Sequence, residues 1–128
     1  MQTWIIVGIG GFIGAVLRYF TSGWLQGSVG TFPVGTLGVN VIGSFFIGVV
    51  MYLSEYGGVF DMETRIFLTL GILGAFTTMS TFSYESFRLL EQQAFGLFAL
   101  NLLATITLTL LAVWAGKIGA GYLVEAAL

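Results

Sequence analysis

The sequence predicts an all-α membrane protein: one domain over residues 1–128, built of four transmembrane helices with the third broken mid-membrane. Three observations carry this. The 128-residue chain is 57% hydrophobic and 8% charged, about a third of the charge of a soluble domain, too little to cover its surface in water. Its mean hydropathy is +0.99. Its apolar residues gather into four stretches close to the ~20 residues that cross a hydrocarbon core of about 30 Å, and a cluster of hydroxyls interrupts the third.

The first span is predicted over about Trp4–Phe20, with Trp4 and Tyr19 as interfacial anchors. No Lys or Arg precedes its apolar run, so it reads as a span rather than a secretory signal. Within it, "GIGGFIG" imitates a dinucleotide GxGxxG. Ile13 stands where the last glycine should be, and the segment is a helix rather than the turn after a strand, so it reads as a packing face. A polar connector, "TSGWLQGSVGTFP", follows and holds the only proline, Pro33, suited to a helix start because the missing N–H would be unpaired there. The second span covers about Val34–Leu53. The loop "SEYGGVFDMETR" carries three of the six acids. The third span covers about Ile66–Leu90, the fourth about Phe95–Ala115, and "GKIGAGYLVEAAL" reads as a short tail.

Four crossings put both ends on one side of the bilayer, together with Arg65 and Lys117. Arg18 and Arg88 fall on the other. Two cations against two give the positive-inside rule no preference, which predicts insertion in both orientations, the alternative being one topology set by other factors. A chain inserted both ways can form an antiparallel, dual-topology dimer about a two-fold axis in the membrane plane. Nineteen glycines, and the small-xxx-small pairs Gly10/Gly14 and Gly71/Ala75, supply faces for close helix approach. These faces serve packing within one subunit or between subunits; four helices scarcely enclose a pore and bury their own contacts, which favours an oligomer.

Composition also excludes. Without Cys there are no disulfides or thiolate metal sites. Without His the commonest general base and metal ligand are gone, so an enzyme is not expected. No basic stripe exists to meet nucleic acid. No acid is placed deep in a span, which disfavours a proton-coupled cation exporter; Glu85 is read as near a span end. A small multidrug exporter would need a carboxylate in the first span, and "WIIVGIGGFIGAVLRYF" has none.

Three polar sets lie at membrane depth, where such groups mark solute paths. Asn40 has Ser44 one turn on and Gly43 beside it; alone it would read as glue between helices. Asn101, Thr105 and Thr109, spaced by four, form one stripe rising about 12 Å, although each Thr can instead bond its own i−4 carbonyl. A membrane scaffold would not need such a stripe. In "GAFTTMSTFS", five of the seven residues Thr77–Ser83 carry hydroxyls, which loosen a helix. Such a break frees carbonyls near Gly74–Thr77 to hold a cation while hydroxyls donate to an anion, and Met79 and Phe82 share a face if the helix resumes. With no Arg or Lys mid-span, and with Arg18 and Arg88 near span ends to draw anions into a vestibule, the residues point to a small polar solute or a small anion.

Taken together, "GGFIGAVLRY", "GTLGVNVIGSFFIG" and "GILGAFTTMSTFS" resemble the signatures of the Fluc (CrcB) family of fluoride channels, and the resemblance covers essentially the whole chain. It implies an antiparallel dual-topology homodimer with two pores in the bacterial inner (plasma) membrane, passively exporting fluoride and so relieving its toxicity. By position it implies Asn40 as a fluoride donor, and Phe82 as one of two pore phenylalanines. Ser80, Thr81 and Ser83 become polar neighbours, Asn101, Thr105 and Thr109 a polar track, and Arg18 a vestibule residue. Gly74 and Thr77 would offer main-chain carbonyls to a structural Na⁺ at the dimer centre. Where the family pattern has the first phenylalanine, this chain has Met79. A thioether is polarisable but lacks a ring quadrupole. Three readings follow: a yielding side chain suffices, conduction is slower, or the chain is half of a heterodimer whose partner supplies the ring.

Overall fold

The structure, a computed structural model, describes residues 1–127, and among these every regular element is helical. α1 is Thr3–Gln26 and α2 is Val34–Gly57. The third span, Met62–Glu91, is composite. It starts as α3, Met62–Ile66, widens into a π-helical segment, Phe67–Leu73, closes with a short α4, Gly74–Phe76, and resumes as α5, Met79–Glu91. α6 is Phe95–Ala127. All four spans are long and apolar enough to cross a bilayer.

Helix starts follow the local sequence. Asp61 precedes α3 and accepts a hydrogen bond from the Thr64 amide at 2.8 Å, a standard N-cap. The bonds to Thr64 hold the Asp61 carboxyl below its ordinary value. Thr78 caps α5 in the same way through the Thr81 amide. Pro33 stands at the head of α2, where no amide is required.

Two helices run past their predicted ends. Polarity marks Thr21–Gln26 as connector, yet α1 continues through it, and Gln26 then secures the shorter turn that remains. Its Nε2 donates to the carbonyls of Gly30 (3.2 Å) and Phe32 (3.0 Å), and its Oε1 accepts from the Gly35 amide (2.9 Å). At the other end, the predicted tail is helix to Ala127. Small residues explain this: a Cβ on Gly116 would collide with the Phe45 carbonyl, and Ala120 is buried, so α6 stays seated on α2 well beyond Ala115.

α2 packs mainly on α6, and α1 on the π-helical segment and α4. The second seam joins the two small-xxx-small motifs. A Cβ on Gly10 would come within 2.8 Å of the Gly71 Cα, and one on Gly14 would overlap the Ile72 carbonyl and press on Ala75. The motifs are therefore spent inside one subunit, and any contact between subunits must use other surfaces. Those surfaces are ample, because no span buries more than 28% of its apolar window within the chain.

Gly14→Val should thus force α1 off the third span and cost about 1–3 kcal/mol, the usual range for overpacking. Gly8→Ala, whose added methyl meets nothing within 4 Å, should be neutral or slightly stabilising. Thermal unfolding followed by size-exclusion in detergent checks both; equal midpoints would contradict the seam.

Candidate functional site

The site is built around the interruption of the third span. Thr77 (φ −88°, ψ 160°) and Thr78 (φ −150°, ψ 120°) are both extended, and two extended residues in succession cannot continue a helix. In hydrocarbon the backbone groups this releases must find partners. Asn40 of α2 supplies two of them. Its Nδ2 donates to the Thr78 carbonyl at 3.0 Å, and its Oδ1 accepts from the Thr78 amide at 2.8 Å. The carboxamide pairs with Thr78 as a neighbouring strand would. Gly43 lets α2 come this close, since a Cβ there would overlap the Thr77 methyl.

Side-chain hydroxyls do the rest. Thr77 Oγ1 donates to the Leu73 carbonyl at 3.1 Å. Thr78 Oγ1 accepts from the Thr81 amide at 3.2 Å, donates to Thr81 Oγ1 at 3.0 Å, and lies 3.4 Å from Ser80 Oγ. One consequence is specific. In an unbroken helix the amides of Thr78 and Thr81 would close on the carbonyls of Gly74 and Thr77. Here those amides are engaged by Asn40 and by the Thr78 hydroxyl. The carbonyls expected from the sequence to be released are the ones whose usual donors are taken.

A cavity of about 320 Å³ opens beside the break, where α2, the break and α6 meet. Its polar wall comprises Asn40, Ser44, Thr77, Thr78, Thr105 and Thr109, with Met79 at the edge. The structure thus joins members of all three polar sets. The stripe on α6 divides, however. Asn101 does not line this cavity; it is 1% exposed and donates through Nδ2 to Ser86 Oγ at 2.9 Å, tying α6 to α5. Thr109 donates back to the Thr105 carbonyl at 2.6 Å. Thr105 Oγ1 is buried without a partner among the described residues, so its hydroxyl alone is uncommitted.

A second cavity, about 440 Å³, lies along α1, α2 and α5. Gln26, Thr36, Thr81 and Glu85 line it. The Thr36 hydroxyl donates to the Glu85 carboxylate. Glu85 lies six residues from the end of the Met62–Glu91 span, and what its placement near a span end does not show is that it stands on a cavity wall. The signal was available, because Glu85 is four residues beyond Thr81 and so on its face. The Thr78–Thr81 hydroxyl pair stands between the two cavities, Thr78 on the wall of one and Thr81 on the wall of the other.

The remaining residues scatter. Phe82 is buried in the core at 8% exposure, whereas Met79, three residues earlier, is 71% exposed and projects from the subunit. Ser80 and Ser83 are exposed. Arg18 is half-buried, lines neither cavity, and its Nε is buried without a partner among the described residues. Because α1 extends to Gln26, Arg18 sits two turns inside the helix rather than near its end.

The family described as "CrcB-like protein, Camphor Resistance (CrcB)" matches residues 5–117. Curated relatives carry the name fluoride-specific ion channel FluC. FluC 1 of Methanosarcina acetivorans is 62% identical over 120 residues, covering 94% of this chain and 92% of the relative. FluC 3 of Methanosarcina barkeri is 59% identical over 117 residues, covering 91% and 89%. FluC of Geotalea daltonii is 44% identical over 124 residues, covering 96% and 100%.

Asn40→Ala removes both partners of Thr78 and should cost about 1–3 kcal/mol for each backbone group left dry. Asn40→Asp, which keeps an acceptor for the Thr78 amide but no donor for its carbonyl, should fall between. Amide hydrogen exchange at Thr78 reads this locally: it should quicken in Asn40→Ala, and unchanged protection would show that the break is held by other contacts.

Proposed function

The chain belongs to the CrcB-like family, and from that premise we propose that it is a fluoride-selective passive channel of a cell membrane, not an enzyme, in which F⁻ passes the helix break between neutral donors. The carrying observation is the cavity of Asn40, Thr105 and the broken segment, which offers hydrogen-bond donors with no Lys or Arg to trap an anion. Asn40 spends one N–H on Thr78, and a carboxamide has two; the second is available to the ion. The Thr105 hydroxyl is the next free donor, and the ring edge of Phe82, which follows Thr81 in sequence, is partly positive and would be a further weak partner. Each replaces part of a hydration shell without binding tightly, as conduction through successive sites requires. Glu85, on the wall of the second cavity, keeps anion residence short there.

The same reading includes an antiparallel dual-topology homodimer with two symmetric pores. Two features support it: the even cation count of the two sides, and the outward projection of Met79, which a second copy would cover. Gly74 and Thr77 suit the structural Na⁺. Their usual amide donors are engaged elsewhere, main-chain oxygens suit a hard cation, and a two-fold axis would double the set. The ion would supply positive charge fixing the two breaks against each other. Ser80, Ser83 and Arg18 belong to the approaches, and Thr109 presents only lone pairs, since its proton is spent on α6. In a bacterial inner membrane the flow is outward: HF enters, ionises at cytoplasmic pH, and F⁻ leaves.

Purified protein in liposomes loaded with fluoride and chloride should release fluoride on shunting the potential and retain chloride; equal chloride efflux overturns the assignment. Phe82→Ile should lower fluoride flux more than about tenfold, a barrier increase above about 1.4 kcal/mol. Met79→Phe separates the roles of that position: a faster rate means the missing ring limits conduction, an unchanged one that a thioether suffices. A cysteine at one exposed end of the helices should cross-link to a cysteine placed at the opposite end of a second copy, and linking only between identical end positions would refute dual topology.

A further inference from the structure

Away from the break, α2 and α6 enclose a polar cavity that the channel reading does not use. It measures about 370 Å³ and is lined by Tyr52, Tyr56, Lys117, Gly121 and Glu125 among others. Tyr52 lies three turns beyond Asn40 on α2, about 18 Å along the axis, so this is a separate place at the other end of the span. The Lys117 ammonium sits 5.3 Å over the Tyr52 ring, and Tyr56 stacks on Tyr52 with centroids 5.3 Å apart and planes 16° from parallel. The cation is held by the Tyr52 ring face and not by a carboxylate: the one ion pair among the described residues is Arg88–Glu91. Gly121 leaves the floor open, because a Cβ there would meet nothing within 4 Å.

Depth identifies the occupant. α6 has 33 residues, about 50 Å at 1.5 Å each, against a hydrocarbon core of about 30 Å. Trp114 and Tyr122, on the same end of α6, are exposed, and such rings settle at headgroup level. An ammonium with three donors and two phenols then faces the layer where lipid phosphates lie. Glu125 on the rim repels a dianion more than a monoanion, which favours a phosphodiester over free phosphate.

We propose that Lys117, Tyr52 and Tyr56 form a binding site for the phosphodiester headgroup of a membrane glycerophospholipid. The site holds the overhanging end of α6 at the interface and is independent of the fluoride path.

Native mass spectrometry of the full chain, released from detergent with phosphatidylglycerol as the probe, tests this. The parent should retain lipid. Lys117→Gln should retain about fivefold less, the equivalent of about 1 kcal/mol for one basic residue at a headgroup, while Lys117→Arg should stay near the parent. Gly121→Phe, which fills the floor without changing charge, should also lose lipid, so the test does not hang on one variant. Millimolar inorganic phosphate should leave the retained lipid in place. Parent-like retention by Lys117→Gln, or displacement by inorganic phosphate, overturns the proposal.

Discussion

The pairing of one carboxamide with one peptide unit, Asn40 with Thr78, is the interaction on which the rest of this molecule depends. An interrupted helix inside hydrocarbon is tolerable only when its freed backbone groups are satisfied. Asn40 satisfies two at once and at the same residue. Once Thr78 is held extended, its hydroxyl is aimed to start α5, the amides that would close on Gly74 and Thr77 are diverted, and Met79 is turned outward. A Leu at position 40 would fill the space equally well and would leave the break dry. The bond also draws α2 against the broken span, which explains why Gly43 must be small.

The polar side chains of the spans divide into those that hold the protein together and those left for a solute. Asn101 and Ser86, Thr109 and the Thr105 carbonyl, Thr36 and Glu85 are mutually engaged. Uncommitted capacity beside the break rests with a few groups: the second N–H of Asn40, the hydroxyls of Thr105 and Ser44, and the carbonyls of the break. Buried polar groups in a membrane are costly unless paired, so the few that remain free stand out by contrast. A path of weak sites needs only a few such atoms.

Much of this was legible in the sequence, and the parts that were not share a cause. Hydropathy and length locate four spans, and a run of hydroxyls locates the break, because both are properties of one segment. Periodicity likewise places Gly10 with Gly14 and Gly71 with Ala75. What it cannot say is that these two faces meet each other rather than another subunit, since a period identifies a face and not its neighbour. The same limit hides Asn101–Ser86 and makes a three-residue stripe look uniform when its members do three different things. The ends of α1 and α6 were misjudged for another reason. Polar or small residues there read as loop, whereas in a helix they form a hydrogen-bonding face at Gln26 and a close-packed one at Gly116 and Ala120.

The widened segment Phe67–Leu73 carries the glycine seam with α1 and runs into the break held by α2. A π-helix turns less per residue than an α-helix, so this stretch sets the rotational phase of everything after it relative to everything before. Losing or gaining one residue here would swing Thr78 by about a quarter turn away from Asn40 while leaving every side chain chemically intact. The spelling of this stretch is therefore freer than its length. Change within Phe67–Leu73, Gly71 apart, should proceed by substitution and almost never by insertion or deletion.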